Sequence, residues 1–195
     1  RGDLLMTGYW NDERATKKAL REGWLHTGDI GQFDEDGHLI ITDRKKDIII
    51  SDKGENISPQ RVEGMLSLEP EIAQVMIYGD EKPYLVGLIV PDAEWLAQWA
   101  RAAGLAPDLS ALTDNRDLHA ALDEAVSRVN RRLANHEKLR RFAVADEAFS
   151  IENEQMTPTL KIRRHVILKV YRSRIDGLYA GHGKHHQPDG EKISL

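Results

Sequence analysis

A block of charge that runs directly into three isoleucines is the feature that most constrains how this chain can fold. The segment DRKKDIIIS spans residues 43–51. A surface loop needs neither a dense charge cluster nor an apolar run, whereas a joint between two bodies needs both. The charges would then stay in solvent while the isoleucines enter the core of the second body. We therefore predict two bodies and a tail, with boundaries at residues 1–45, 46–180 and 181–195.

Residues 1–45 show β alternation together with one short helical pattern. LLMTGYW, at residues 4–10, is typical of a strand, and NDERATKKALREGW predicts a surface helix capped by Asn11. The stretch GDIGQFDEDGHLIITD predicts two strands joined by a turn at DEDG. The alternation in this hairpin predicts a half-buried face made of Ile30, Gln32, Leu39 and Ile41.

After residue 46 the patterns predict helices packed on a small sheet. The longest apolar periodicity runs from Leu118 to Leu133 at spacings of three and four, which indicates an amphipathic helix. Ser58 and Asp92 are predicted to cap two further helices. Strands are predicted for DIIIS, IAQVMIYGD, YLVGLIVPD and RRFAVAD, and one closing helix for KIRRHVILKVYRSRIDGLY. The predicted fold class is α+β.

Composition limits the possible functions. The 195 residues carry a formal net charge of −5, which argues against a general nucleic-acid binder. The chain contains no cysteine, which excludes a disulfide framework, a thiolate nucleophile and a zinc–thiolate site. No apolar run approaches the ~20 residues of a membrane span, and no signal peptide is visible. We expect a cytoplasmic protein with at most peripheral membrane contact and, because the sequence opens with Arg1, a piece of something longer.

Asp29, in the sequence TGD, is the first candidate for a binding residue. Gly28 before it lets the backbone turn sharply and approach a ligand closely. A carboxylate can accept hydrogen bonds from two adjacent hydroxyls at once, which is the geometry of a ribose 2′,3′-diol. The alternative is an acid that caps a turn in a hairpin, and the spacing alone favours that alternative.

Two cations are the other candidates. Arg44 offers five donors in a fixed arrangement that suits ribose or phosphate oxygens. Lys161 follows MTPT, in which Pro158 and two threonines predict an extended, stiff approach. A lysine displayed at a loop tip can stabilise negative charge that develops on phosphorus or on a carboxylate. Taken singly, each cation is more often a solvated charge than a ligand-binding group.

Three segments, taken together in their order along the chain, favour ligand-binding roles for these residues over ordinary surface roles. GWLHTGDIG, DRKKDIIISDKGENISPQRVE and TPTLKIRR resemble, in this order, the acyl-CoA synthetases of the adenylate-forming, AMP-binding superfamily. TPTLK, PYLVGLIVPD and YRSRIDGLY are similar to the long-chain fatty acyl-CoA synthetases in particular. The resemblance runs from Arg1 to Tyr179 and covers only the last third of such an enzyme. It implies a mobile α+β C-terminal domain, preceded by trailing strands of a large N-terminal domain.

The resemblance also implies roles for individual residues. Asp29 and Arg44 would hold the ribose of ATP and of the acyl-adenylate, and Lys46 would be the hinge of the small domain. Lys161 would reach the carboxylate and the α-phosphate during adenylation. A second loop would take its place when the domain rotates for thioester formation, and this loop consists of Lys53, Gly54, Glu55 and Asn56.

The implied parent is an ATP-dependent fatty acid–CoA ligase that uses ATP, CoA and Mg²⁺. We expect no metal ligand in this piece, and we expect the piece alone to be inactive, because the family's phosphate loop, adenine pocket and acyl tunnel lie upstream. Two alternatives stay open. One is an adenylating ligase for another carboxylate, such as an aryl or medium-chain acid. The other is a non-catalytic remnant that binds a partner, for which exposure of Trp95 and Trp99 would be favourable.

Overall fold

The computed structural model describes residues 1–180, and its first part consists of small paired elements. Asp12 caps the first helix by accepting a hydrogen bond from the Ala15 N–H at 2.8 Å, whereas the predicted cap, Asn11, has a φ of +53°. The strand predicted for residues 4–10 is not formed, because within the described residues only an isolated bridge, Tyr9 to Asp12, pairs with it. The elements are α1 (Glu13–Ala19), β1 (Leu20–Arg21), β2 (Trp24–Leu25), β3 (Asp29–Phe33) and β4 (Leu39–Arg44).

The predicted hairpin is present as the antiparallel pair β3–β4, but the prediction of a half-buried face is wrong. The side chains of Leu39 and Ile41 are 58% and 57% exposed, and Phe33 is 74% exposed. Alternation marks a buried face only where a second layer covers the sheet. In residues 1–180 these side chains keep more than half of their surface, so the hairpin presents an apolar face to solvent.

The second part of the chain, from Ile49 onwards, begins with the predicted short strand and continues through further strands and helices. Both predicted caps are confirmed: Ser58 Oγ accepts from the Arg61 N–H at 3.2 Å, and Asp92 Oδ1 accepts from the Trp95 N–H at 2.9 Å. The elements are β5 (Ile49–Ile50), β6 (Asn56–Ile57), α2 (Pro59–Leu66), β7 (Ile72–Tyr78), β8 (Leu85–Pro91), α3 (Ala93–Ala102), α4 (Leu109–Leu112), α5 (Arg116–Asn130), a 3-10 turn (Asn135–Glu137), β9 (Leu139–Val144), α6 (Arg164–Val170) and α7 (Arg172–Gly177).

The centre of this part of the chain is a three-stranded sheet in the order β7-β8-β9. The central strand β8 runs antiparallel to β7 and parallel to β9. Every residue of β8 is buried. A strand covered on both faces has a near-continuous apolar sequence, which is what LVGLIVP shows.

Two hydrophobic cores lie on opposite faces of the sheet. Alternate residues of β7 and β8 enter different cores because successive side chains of a strand point to opposite faces. One core joins Val75, Ile77, Leu85 and Ile89 to the apolar faces of α2, α3 and α5. The other joins Met76, Val86, Leu88 and Val90 to Ile167, Tyr171 and Ile175 of the last two helices. The prediction of an α+β fold is confirmed.

The C-terminal helix differs from its prediction because it is broken at Tyr171. This residue leaves helical geometry at φ −101° and ψ 16°, and its side chain is buried. Its hydroxyl accepts a hydrogen bond from the Asp146 N–H at 3.2 Å. The break lets α6 and α7 each turn an apolar residue towards the sheet. The tail predicted for residues 181–195 lies outside the described residues.

Candidate functional site

Asp29 and Arg44 lie opposite each other where β3 begins and β4 ends. Their Cα atoms are register partners, and Arg44 Nε lies 2.9 Å from Asp29 Oδ1. The Asp29 side chain is 22% exposed and that of Arg44 is 58% exposed. Gly28 adopts a φ of +76°, which a glycine adopts without strain, and this turn sets Asp29 at the strand end. The structure therefore brings together, as an ion pair, the two residues predicted to share a ribose.

Lys161 lies in a closed turn rather than at the end of the extended approach that the sequence predicts. The Thr157 N–H donates to the Lys161 carbonyl at 2.8 Å, and the Lys161 N–H donates to Thr157 Oγ1 at 3.1 Å. Leu160 has a φ of +57° and reverses the chain. Because the turn is held by its own hydrogen bonds, the exposed side chain of Lys161 projects from a defined backbone.

Lys46 occupies the middle of the turn that leaves β4. The Asp47 N–H donates to the Arg44 carbonyl at 2.9 Å, and the Ile48 N–H lies 3.3 Å from the same oxygen. The side chain of Lys46 is exposed, and Ile49, three residues later, is buried at 6% exposure. Ile50 is exposed, so only part of the isoleucine run enters the core. The chain thus passes from the exposed Lys46 into a packed core within a few residues. The prediction that the whole charge block stays in solvent is wrong for Asp43, which is buried at 3% exposure.

Arg44, Lys46 and Lys161 line one open cleft with a volume of about 750 Å³. They come from two separate segments, the end of β4 with its following turn and the Lys161 turn, and Asp29 reaches the same place through its ion pair with Arg44. Guanidinium and ammonium groups on an open cleft favour ligands with phosphate, carboxylate or hydroxyl oxygens. The arrangement can therefore bind an anionic, oxygen-rich molecule and neutralise charge on it.

None of the residues of the second predicted loop, Lys53, Gly54, Glu55 and Asn56, is among those that line this cleft. Ser51 Oγ accepts from the Glu55 N–H at 3.1 Å, and Gly54 has a φ of +78°, which closes the turn. The Asp52 N–H donates to the Lys82 carbonyl at 3.2 Å. The loop is thereby tied to the connection between β7 and β8.

A small basic pocket of about 210 Å³ adjoins this loop. The sequence pattern offered no reason to group its cations, since they come from three segments that are distant along the chain. Glu55 lies beside this group, with Oε1 at 3.7 Å from His136 Nδ1. The basic side chains that line the pocket are Lys53, Lys82, His136, Lys138 and Arg140.

One cluster of possible metal ligands occurs in residues 1–180, and its geometry has a simpler origin. Asp34, Asp36 and His38 lie on the β3–β4 turn and are largely exposed. Asp34 Oδ1 accepts from the backbone N–H groups of Asp36 and His38, at 3.0 and 2.8 Å. The hydrogen bond from the His38 N–H lowers the pKa of Asp34. These hydrogen bonds stabilise the turn, and the turn explains why the three side chains lie close together.

The helices in residues 1–180 are all too short or too polar to cross a membrane. The longest of them, α5, has 15 residues, with one buried apolar face and one face that carries charged side chains.

Comparisons with a family model and with curated proteins point to the same kind of enzyme. A family model described as AMP-binding enzyme C-terminal domain matches residues 46–183. The chain is 37% identical over 183 residues to Long-chain-fatty-acid--CoA ligase FadD15 of Mycobacterium tuberculosis, which covers 92% of this chain and 30% of that protein. It is 36% identical over 184 residues to Long-chain-fatty-acid--CoA ligase 6 of Homo sapiens, with 92% and 26% covered. The chain thus spans about a third or less of these relatives.

Solved structures show the same fold. The adenylation domain of a carboxylate reductase from Mycobacterium chelonae superimposes with a TM-score of 0.76 at 25% identity, over 89% of this chain and 26% of that chain. The A-PCP didomain of the carboxylic acid reductase from Segniliparus rugosus, in complex with AMP, gives a TM-score of 0.78 at 24% identity. That match covers 92% of this chain and 24% of the didomain, and at this identity it speaks for the fold alone.

Proposed function

Because this chain belongs to the family of AMP-binding enzyme C-terminal domains, as its motifs predicted, we propose that it is the C-terminal part of a long-chain fatty acid–CoA ligase. The whole enzyme would convert a fatty acid and ATP into an acyl-adenylate and pyrophosphate. It would then convert the acyl-adenylate and CoA into acyl-CoA and AMP. The observation that carries the proposal is the single cleft lined by Arg44, Lys46 and Lys161.

In the first half-reaction, Asp29 accepts hydrogen bonds from the ribose hydroxyls. Its carboxylate has more acceptor sites than the one contact with Arg44 uses, so both residues can serve the same ribose. Lys161 places an ammonium group near the reacting carboxylate and α-phosphate, where negative charge is concentrated. Catalysis then consists of positioning and charge stabilisation.

Mg²⁺ would accompany ATP and neutralise its phosphates. The described lining of the cleft does not fit this ion. Both oxygens of Glu63 are occupied, by Arg164 and by the Ile77 N–H, which leaves Asp47 as one carboxylate among basic side chains. We expect the metal ligands in a part of the polypeptide outside this chain.

In the second half-reaction, the small domain would rotate about Lys46. The rotation would bring the loop of residues 53–56, which we call the Gly54 loop, to the cleft. We divide the chain accordingly at residues 1–45 and 46–180. The basic pocket beside the loop suits the phosphates of CoA, because several cations converge there. The Glu55 carboxylate, which would oppose an anion, lies near His136 and is partly balanced by it when the imidazole is protonated.

The two alternatives have less support. The curated relatives are named as long-chain ligases, which does not favour an aryl or medium-chain acid. Trp95 and Trp99 stack on each other with 6.4 Å between ring centroids and pack against the larger core. They are therefore not the exposed pair that a partner-binding remnant would need.

The test uses the full polypeptide that contains this chain, with the 195-residue chain alone as comparison. We expect the full polypeptide to exchange pyrophosphate into ATP when palmitate is present, and more weakly with octanoate or benzoate. We expect the chain alone to show no exchange. Pyrophosphate release from ATP and palmitate by the chain alone, or a full polypeptide that prefers benzoate, would contradict the proposal.

A further inference from the structure

We infer that Arg164 is a positioning residue, which is held by Glu63 and by the backbone of Ile77 and which fixes the loop that presents Lys161. The inference rests on the proposed function of Lys161 in adenylation. In the sequence, the segment KIRR is typical of the basic start of a helix, so neither Arg164 nor Glu63 stands out there.

Three hydrogen bonds close a ring among three elements. Arg164 Nη2 donates to Glu63 Oε2 at 2.6 Å, and Arg164 Nη1 donates to the Ile77 carbonyl at 3.0 Å. The Ile77 N–H in turn donates to Glu63 Oε1 at 2.8 Å. The ring ties α2 and the last part of β7 to the first residue of α6.

The ring lies in a shielded place. The side chain of Glu63 is 12% exposed and that of Arg164 is 25% exposed. Burial raises the pKa of Glu63, although the hydrogen bond and the charge of Arg164 act in the opposite direction. A charge pair in such a place contributes little net stability, but it holds its geometry because breaking it leaves an uncompensated charge.

The hydrogen bonds within the Lys161 turn fix its shape but not its place on the molecule. Thr157 and Lys161 bond to each other, and these contacts would survive a movement of the whole turn. Arg164 follows Lys161 by three residues and connects the turn to the sheet through Ile77. A displacement of about 1 Å at a catalytic group can cost on the order of a hundredfold in rate, so this connection is important for catalysis.

Arginine is specifically suited to this position. Its planar fork contacts a carboxylate and a carbonyl at the same time, whereas a lysine has one ammonium group on a flexible stem. The substitution Arg164→Lys therefore keeps the charge and loosens the ring. Glu63→Gln is a second variant, which keeps the size of the side chain and removes the charge that holds Arg164.

The chain offers a matched control in Arg128. This residue of α5 makes a comparable set of contacts, with 2.7 Å hydrogen bonds to Glu69 and to Glu71. Its side chain is 37% exposed. The contacts hold the turn before β7 and do not involve the Lys161 loop. Arg128→Lys therefore reports what the loss of a structural arginine fork costs by itself.

The first measurement compares the two half-reactions in the full polypeptide. We expect Arg164→Lys and Glu63→Gln to lower the kcat of adenylation about tenfold or more, because Lys161 is displaced. The rate of thioester formation from preformed acyl-adenylate should change less than about twofold, since Lys161 is not needed there. Arg128→Lys should change both rates alike. Equal losses in both half-reactions for Arg164→Lys would overturn the inference.

The second measurement needs no catalysis. The probes are the amides of Met156 and Arg163, which flank the turn and donate outside it, to the Ser150 and Gln155 carbonyls at 2.8 Å. Their hydrogen exchange should be about fivefold faster or more in Arg164→Lys, and unchanged in Arg128→Lys, relative to the amides of β8. Unchanged exchange in Arg164→Lys would show that the turn is placed by other contacts. If the unmodified polypeptide shows no pyrophosphate exchange in the presence of a fatty acid, the proposed function fails. The hydrogen exchange rates of these amides still decide whether Arg164 positions the turn.

Discussion

At the scale of single residues, the proposed chemistry depends on one ammonium group in a defined place. Lys161 extends from a turn that is closed by its own hydrogen bonds, and it shares a cleft with Arg44 and Lys46. A lysine whose backbone is held in this way has less to reorganise when it stabilises developing charge, because only its side chain must be ordered. The same fixation restricts it to the half-reaction in which its turn faces the cleft.

We predict that Lys161→Ala in the full polypeptide slows adenylation by about a hundredfold, equivalent to roughly 3 kcal/mol of lost transition-state stabilisation. Thioester formation from preformed acyl-adenylate should be largely spared. The assays are pyrophosphate exchange and acyl-CoA release. Lys169→Ala, at an exposed position of α6, is the control and should leave both rates unchanged. Equal losses in the two assays for Lys161→Ala would show that this lysine is only structural.

Glu63 predicts a pH dependence of stability. Its pKa is raised above the ordinary value of 4.5, chiefly by burial and slightly by Asp43, against the opposing effect of Arg164. The folded state then binds more protons than the unfolded state just above that value, so this group's contribution to stability falls as pH rises. We expect the urea midpoint of the unmodified chain to fall relative to Glu63→Gln between about pH 4 and pH 7. A relative rise would mean that Arg164 outweighs burial.

At the scale of elements, the site is assembled from turns that join or leave regular structure. The turn after β4 carries Lys46, the Gly54 loop lies between β5 and β6, and the Lys161 turn precedes α6. Turns supply the backbone freedom that domain rotation needs, since a hinge concentrates its movement in a few residues.

We predict that Lys46→Pro in the full polypeptide suppresses one half-reaction far more than the other. Proline fixes φ near −65° and restricts the residue before it, so the joint would be held in one orientation. Lys46→Ala is the control, because it removes the charge and keeps the backbone freedom. The measurement is the pair of half-reaction rates, with thermal stability recorded for each variant. A uniform loss that follows stability would place the joint elsewhere.

The basic pocket gives a separate prediction about CoA. Arg140→Glu should raise the KM for CoA about tenfold or more, because it puts a negative charge into a phosphate-binding pocket. Pyrophosphate exchange should not change, since that reaction does not involve CoA. Arg132→Glu, at an exposed position outside the pocket, is the charge-matched control. An equal rise in KM for both variants would indicate only long-range repulsion.

Features that depend on interactions between neighbours along the chain were predicted from the sequence. Features that depend on interactions between distant residues were not. The caps at Ser58 and Asp92 and the periodicity of α5 depend on neighbours along the chain, and they were predicted correctly. The bond between Glu63 and Arg164 joins residues 101 positions apart, and no local pattern indicates it. The cations of the basic pocket are grouped only by the folded sheet, so they too could not be predicted.

At the scale of the whole molecule, the two parts of the chain differ in how they are covered. The β7-β8-β9 sheet in the second part has a hydrophobic core on each face. The β3–β4 hairpin instead exposes Phe33, Leu39 and Ile41. Contiguous apolar side chains of this kind promote association when they remain in contact with water.

We therefore predict that the 195-residue chain alone associates with itself as its concentration rises. Replacing Phe33, Leu39 and Ile41 with threonine should shift sedimentation towards the monomer, because threonine keeps β propensity and removes apolar surface. Leu68→Thr, at a single residue that is 77% exposed, serves as control and should have no effect. Association that persists in the triple variant would locate the contact elsewhere.

The attachment of two loops to one sheet has a consequence for timing. The Gly54 loop is bonded to the connection after β7, through Asp52 and Lys82, and the Lys161 turn is bonded to β7 itself, through Arg164. Because both loops are attached to the same sheet, they cannot both occupy the cleft at the same time. In the proposed enzyme, the order of adenylation and thioester formation then follows from which of the two loops occupies the cleft. No separate regulator is needed to keep the two steps in order when ATP and CoA are both abundant.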